Sequence, residues 1–442
     1  MRKALSSIGE SPVFLDKRLN FLAVVAVLLT TLFGWFNPNS WCIGLLVLCR
    51  LLDGKPLENI RTAFTNKLFL AYFIFFLIDA AGYLHTHNMV TQGKIVVKEA
   101  TLVAIAFAFC GGRFADQKTY RQLITAYSLL LLLVSFYCLG LALHNYQLTK
   151  DSSVFFYHAL TAPISQNAVF YSVFVLFGII FLLSPQGSPV IGWLSPKTRR
   201  SFRIALVLFF LGMIVLLSSR LLLIVTLLVM INTFSRRYSF RKNKRAFLVT
   251  GSTLFLAVCV LFMIDNPIRA RFKEMQGDLD VVKQQTFNPN MYFNSLQSRL
   301  VEGRFAIEVL NSRHAWLFGV SPGDSQDLLD QKYIDTKMDI GDPSQGPDRK
   351  IRGFIGYNYH NQYTESLVKT GILGLVSLLS IFFLLFAGAR KQGAKESWFI
   401  ILTLAIFFIP EAPLTLQHGI FLFCFFPLLA LNAPRVARLA AS

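Results

Sequence analysis

This sequence is short of charge. Of its 442 residues only 15% are Asp, Glu, Lys or Arg, against about 25% in a soluble globular domain. Such a chain lacks the polar surface to face water on all sides. Cysteine is also scarce. Cys42, Cys49, Cys110, Cys138, Cys259 and Cys424 all lie in or beside apolar runs, which excludes a disulfide framework, and they show no metal-ligand spacing. The chain has no repeat of fixed period and no low-complexity linker. A cleavage site of small residues is missing after Phe21–Phe36 as well, so this first apolar run is expected to be an uncleaved helix and not a secretory leader.

What remains is apolar. Hydrophobic residues make up 54%, aromatics 14%, and there are 43 Phe, with a mean hydropathy of +0.52. This is the composition of an all-α polytopic membrane protein. Candidate spans fall at 21–36, 39–52, 68–84, 96–112, 123–143, 167–184, 204–219, 221–234, 247–264, 370–388, 398–410 and 419–432. About twelve transmembrane helices are therefore expected. Helices 1–9 occupy residues 1–264, a large external loop 265–369, and helices 10–12 with a cytoplasmic tail 370–442.

The basic residues orient this arrangement. One set of alternate loops and termini carries 25 of the 43 Lys and Arg, including Lys197–Arg203, Arg236–Arg245 and Arg390–Lys395. The short loops of the other set hold only Lys94, Lys98, Lys150 and Arg220. Both termini are then cytoplasmic and 265–369 is outside. That loop is nearly neutral, with 13 basic and 14 acidic residues. The net charge of +19 thus follows topology and suits anionic lipid headgroups. A nucleic-acid partner is not expected, because no folded domain concentrates the charge.

The same rule splits 204–234. Both flanks are basic and belong on one side, so Ser218-Ser219-Arg220 is predicted to be the outer tip of a helical hairpin. Arg220 then either snorkels at a helix end or lines a cavity. In the loop, Leu296, Leu300, Gly303, Ile307 and Leu310 form one stripe at helical spacing, predicting an amphipathic helix over Asn294–Asn311. Arg299 and Arg304 flank the stripe. They are placed either to bind an anion or to pair within the helix, Arg299 with Glu302 and Arg304 with Glu308. The Asp-rich 321–348 stretch lacks EF-hand spacing and is expected to be a solvated loop. Asp278-Leu279-Asp280 has no surrounding α/β domain to make it a metal site. A helical stretch is predicted to start at Asn358 or Tyr359, with His360, Tyr363, Thr364 and Leu367 on one face. His360 there is either structural or a base near neutral pH.

His360-Asn361, nine residues, Gly371, two residues and Gly374 fit the pattern H-[NSQ]-x9-G-x-x-[GTV]. In this pattern, in Arg220 after a membrane hairpin and in Ser298-Arg299-Leu300, the chain resembles the O-antigen ligase/polymerase superfamily. It departs from that family in having Ile224 at the Leu of an Arg-x3-Leu element, and Gly303 where relatives often carry an aromatic. The resemblance implies a GT-C-like all-α fold in a bacterial inner membrane, with a periplasmic active site. It also implies glycan transfer from undecaprenyl pyrophosphate to a lipid A–core or glycan acceptor, without cofactor or metal. Arg220, Arg299 and, as a weaker third, Arg304 would hold the pyrophosphate, and His360 would be the base, which predicts inversion. Asn361, Gly371 and Gly374 would support the motif. The alternatives are a polymerase of the same superfamily and a transporter of lipid-linked sugars, for which Asp79 would be the main ionisable residue.

Overall fold

In lipid a backbone has no hydrogen-bond partner but itself, so uncharged apolar runs fold as helices. The computed structural model describes residues 17–53, 56–111, 116–184, 195–237, 279–342, 353–393 and 395–433, and the regular elements among them are helical. The chain begins with α1 (Lys17–Leu32), α2 (Phe36–Leu52), α3 (Pro56–Thr65), α4 (Lys67–Ala80) and α5 (Met89–Cys110). There follow α6 (Gln117–Thr149), α7 (Tyr157–Thr161), α8 (Ala168–Leu183), α9 (Pro196–Leu217) and α10 (Arg220–Arg237). The loop contributes α11 (Ser295–Ser312) and α12 (Pro322–Asp335), and α13 (Gln362–Gln392), α14 (Lys395–Phe407) and α15 (Gln417–Leu431) follow.

Every predicted apolar run among the described residues falls on one of these helices; the run at 247–264 and the Asp278 position lie outside them. The number of spans is another matter. Four described helices, Lys67–Leu84, Gln117–Thr149, Pro196–Leu217 and Gln362–Gln392, are long and apolar enough to cross a membrane. A fifth arises if Tyr157–Ile164 and Ala168–Leu183, bent by 83°, count as one span. The protein is a helical membrane protein, but this is fewer than the expected dozen. The reason is visible in α15. It has 15 residues and is buried from His418 to Ala430, so it is apolar all round because protein covers it.

The predicted hairpin is present. α9 ends at Ser218, whose backbone is left-handed (φ 50), and α10 opens at Arg220. The first arm is longer than expected, because the basic stretch from Lys197 is helical too. Its 22 residues span about 33 Å at 1.5 Å per residue, enough for a bilayer core of about 30 Å.

The loop has an apolar core of its own, built from Val301, Phe305, Leu329, Tyr333 and Tyr359 among others, and it reaches Val368 on α13. Ten residues on, Leu378 belongs to the membrane core. Between them α13 breaks at Gly371 (φ 68, ψ −162), and the segment after α11 covers the break. Val320 N–H donates to Val368 O (2.9 Å), Ser321 N–H to Lys369 O (3.0 Å), and Ile372 N–H to Trp316 O (2.8 Å). The two backbones lie so close that a Cβ on Gly371 would strike the Leu317 carbonyl, and one on Gly319 the Lys369–Thr370 peptide. Only glycine tolerates both this conformation and this approach.

Polar contacts fasten the same region. Glu365 pairs with Lys369 at 2.9 Å, Lys98 Nζ donates to Thr415 O at 2.6 Å, and Asp79 and Glu99 are buried beside them. The Asp-rich stretch is not the solvated loop expected, since 322–335 is α12, capped by Ser321 Oγ with Pro322 in its first turn. Asp324 accepts from His87 N–H (3.0 Å), Asn88 N–H (2.8 Å) and Thr86 Oγ1 (3.1 Å), tying α12 to the turn before α5. Burial works against its charge, but these hydrogen bonds hold its carboxyl below the usual carboxylate range.

Gly371→Ala is expected to lower the unfolding temperature of the detergent-purified protein. Its cost is at least the roughly 1–3 kcal/mol of a strained backbone residue. Gly140→Ala, in α6 with nothing within 4 Å of an added Cβ, is the control and should leave the unfolding temperature unchanged or slightly raised.

Candidate active site

α11 begins where its sequence says it should. Asn294 is the N-cap, accepting from Leu296 and Gln297 N–H, and the Gln297 side chain returns the bond to Asn294 N–H. Of the predicted stripe, however, only Leu310 lies on its buried face. Val301, Glu302, Phe305 and Val309 point into the loop core, while Leu300 and Ile307 are exposed. Two apolar faces were available, and packing chose the one with Phe305.

That rotation decides where each charge goes. Arg299 does not pair with Glu302. Its Nε donates to Pro410 O (2.8 Å), Nη1 to Ser295 O (2.6 Å) and Nη2 to Glu411 Oε1 (3.1 Å). Arg220 arrives from the hairpin tip, and its Nη2 donates to Ser295 Oγ at 2.6 Å. Ser295 thus bridges the two arginines, one through its carbonyl and the other through its hydroxyl. All three residues line a cavity of about 480 Å³ together with Ser219, Tyr157 and Glu411. The rest of its wall is apolar, including Leu296, Ile406 and Ile409. Ile224, the departure from Arg-x3-Leu, is part of that wall; an Ile for Leu exchange preserves its apolar character. Gly303, the other departure, faces open space.

Arg304 does not join them. Nη1 donates to Val282 O and Gln284 O, Nε lies 3.2 Å from Glu308, and the guanidinium packs over Phe287 and Phe305. Here the predicted intrahelical pair with Glu308 does form. Arg304 ties the 279–287 segment to α11.

His360 is not on a helix, contrary to the predicted face shared with Tyr363 and Leu367. It precedes the cap Asn361, whose Oδ1 accepts from Tyr363 and Thr364 N–H, and its own backbone is left-handed (φ 46). A histidine adopts that conformation more readily than most residues. The imidazole Nδ1 lies 3.1 Å from Glu302 Oε2 and 3.0 Å from Asn358 O. Two acceptors on one ring nitrogen require that Nδ1 carry the proton, which leaves the Nε2 lone pair free to take another. Glu302 is 1% exposed, and its other oxygen accepts from Tyr333 Oη at 3.3 Å.

Burial alone would lower the His360 pKa, but the charge and hydrogen bond of Glu302 outweigh it and raise the value above 6.5. Glu411 raises it further and Arg299 opposes, so the imidazole responds to both charged groups at the cavity. Burial likewise pushes Glu411 up, against Arg299 and His360. Sequence reasoning missed Glu302 as a partner of His360, and missed Ser295 and Glu411 altogether. Only the capping box around Ser295 offered a signal. Of the motif glycines, Gly371 makes the break, and a Cβ on Gly374 would strike the Thr370 side chain.

Residues 204–379 match the family model described as O-Antigen ligase. Over that segment the chain is similar to the O-antigen ligase family. The match encloses Arg220, Ser295, Arg299, Glu302, His360, Gly371 and Gly374, but ends before Glu411. The acidic partner of Arg299 therefore comes from outside the O-antigen ligase segment. No curated protein sequence matches the chain.

Glu302→Gln is expected to lower the His360 pKa, measurable by NMR of the labelled imidazole. The sign for stability follows from a raised folded value. The pair stabilises the fold fully below pH 6.5, and that contribution disappears as pH rises through the folded pKa. The wild type should lose unfolding temperature across that window, and Glu302→Gln should lose less.

Proposed function

We propose that the protein transfers a glycan from undecaprenyl pyrophosphate to a lipid A–core acceptor at the periplasmic face of a bacterial inner membrane. Its basic loops and both termini face the cytoplasm, and its helices cross the bilayer more than once. The observation that carries this reading is the meeting of Arg220 and Arg299 through Ser295 in a cavity that also holds Ser219, Tyr157 and Glu411 and is otherwise walled by apolar side chains. A polyprenyl pyrophosphate has that combination of properties, an anionic head on a hydrocarbon chain. Guanidinium groups match phosphate oxygens with paired donors.

The residues divide the work by charge. The acceptor hydroxyl gives its proton to His360 Nε2 as its oxygen attacks the anomeric carbon. The bond from that carbon to the pyrophosphate oxygen breaks, and the pyrophosphate leaves with the electron pair. Arg220 and Arg299 meet the charge that develops on it. Glu302 holds the imidazole in the required tautomer and stabilises the imidazolium that forms. Attack opposite the leaving group inverts the anomeric carbon. Two guanidinium groups supply the positive charge, so no metal is invoked, and transfer is expected to persist in EDTA. Arg304 serves the loop scaffold in this scheme.

In a transfer assay with purified lipid-linked glycan and lipid A–core, Arg220→Ala and Arg299→Ala are each expected to reduce the rate by about 10²-fold or more, the scale of one preorganised charge-stabilising group. His360→Ala should lose about 10²–10⁴-fold, the range for a general base, and full transfer by this variant would refute the base assignment. Arg304→Ala should retain transfer but unfold at lower temperature. Elongation of a second lipid-linked glycan, with no product on lipid A–core, would make the protein a polymerase instead.

Since His360 must be neutral to accept the proton, transfer should rise with pH through its pKa. Glu302→Gln should move that limb to lower pH while reducing the maximal rate.

A further inference from the structure

The helices that frame the arginine cavity enclose a second cavity at their other ends. At the first, α8, α10 and α14 contribute Val169, Arg220 and Ile406. At the second, the same helices contribute Leu183, Thr233 and Phe399, around about 380 Å³. From Val169 to Leu183 the helix rises about 21 Å at 1.5 Å per residue, so the two cavities lie near opposite faces of a bilayer core of about 30 Å. The second opens among the basic ends of the helices, where α9 begins with Lys197, Arg199, Arg200 and Arg203 and α13 ends with Arg390 and Lys391.

Its lining is divided. Ile180, Leu183, Val229 and Phe399 form an apolar wall, and Arg203 and Lys395 bring two cations. Glu396 also lines it, so the three formal charges sum to one positive. Ser184 belongs to the same lining and is 5% exposed, and its buried Oγ has no hydrogen-bond partner among the described residues. A buried hydroxyl left unmatched is costly and needs a reason. A ligand oxygen beside Arg203 and Lys395 would supply one.

We propose that this cavity binds the phosphate headgroup of an anionic phospholipid from the leaflet on the basic face. The phosphate diester accepts from the Arg203 guanidinium, the Lys395 ammonium and the Ser184 hydroxyl. The glycerol and the first acyl carbons lie on the wall of Ile180, Leu183, Val229 and Phe399. A free phosphate would use the same donors but leave that wall uncovered, which favours the lipid. Anionic headgroups on the cytoplasmic leaflet are attracted to basic segments in this way. The site is separate from the arginine cavity and does not depend on the transfer reaction.

The test is native mass spectrometry of the full chain, delipidated in detergent and titrated with phosphatidylglycerol or phosphatidylcholine. Wild type should retain phosphatidylglycerol in preference to phosphatidylcholine. Arg203→Gln should weaken retention about fivefold, the effect of one charge near a membrane surface, and Lys395→Glu should weaken it more. Lys395 is exposed, so its reversal keeps the test alive if Arg203→Gln fails to fold. Equal retention of the two lipids, or unchanged retention in both variants, would overturn the proposal. Displacement of the lipid by millimolar inorganic phosphate would overturn it too, by assigning the site to a soluble anion.

Discussion

A peptide group in apolar surroundings must find a partner, and the helix that joins the loop to the membrane core is broken where it enters. Everything at the site depends on how that break is closed. α13 opens at Gly371, and the chain from Trp316 to Ser321 lies along the opening, exchanging backbone hydrogen bonds with Val368, Lys369 and Ile372. The seam joins two hydrophobic cores through backbone hydrogen bonds. It also anchors the start of α13, and with it Asn361 and the left-handed His360. The glycines at 319 and 371 are there because two backbones touch, not because the chain must bend freely.

The second organising feature is that His360 and Arg299 are each paired with a carboxylate from a distant element. Glu302 faces His360 across 58 positions of sequence, and Glu411 faces Arg299 across 112. Such pairs are weak arguments for stability, because desolvation offsets their attraction. Their value lies in placement. Arg299 is held by three acceptors and the imidazole by two, so each is fixed in place by the fold.

Contacts at the helix ends dock the described part of the loop on the bundle. Asp324 ties α12 to the turn before α5, and Lys98 ties α5 to the link before α15, beside the Glu365–Lys369 pair. These contacts draw α4, α5, α13 and α15 together beneath the loop core. The loop is therefore docked through polar contacts at one end of the bundle, while its cavity wall is shared with α10 and α14.

Hydrophobic runs determined the helices by themselves, since an uncharged run in lipid has no other way to satisfy its backbone. Charge alternation determined that Ser218-Ser219-Arg220 is a turn, because two basic flanks require an even number of crossings between them. The His-to-Gly spacing was legible as a family pattern. Tertiary structure alone decided which face of α11 is buried, since that helix offers one apolar set at Leu296, Leu300 and Ile307 and another at Val301, Phe305 and Val309, and Leu310 of the predicted stripe is buried with the second. It alone decided that Glu302 serves His360 and not Arg299, because proximity along a helix is worth only tenths of a kcal/mol. A buried polar group must take whichever partner packing brings to it. For the same reason only the folded chain could show Ser295 joining Arg220 to Arg299.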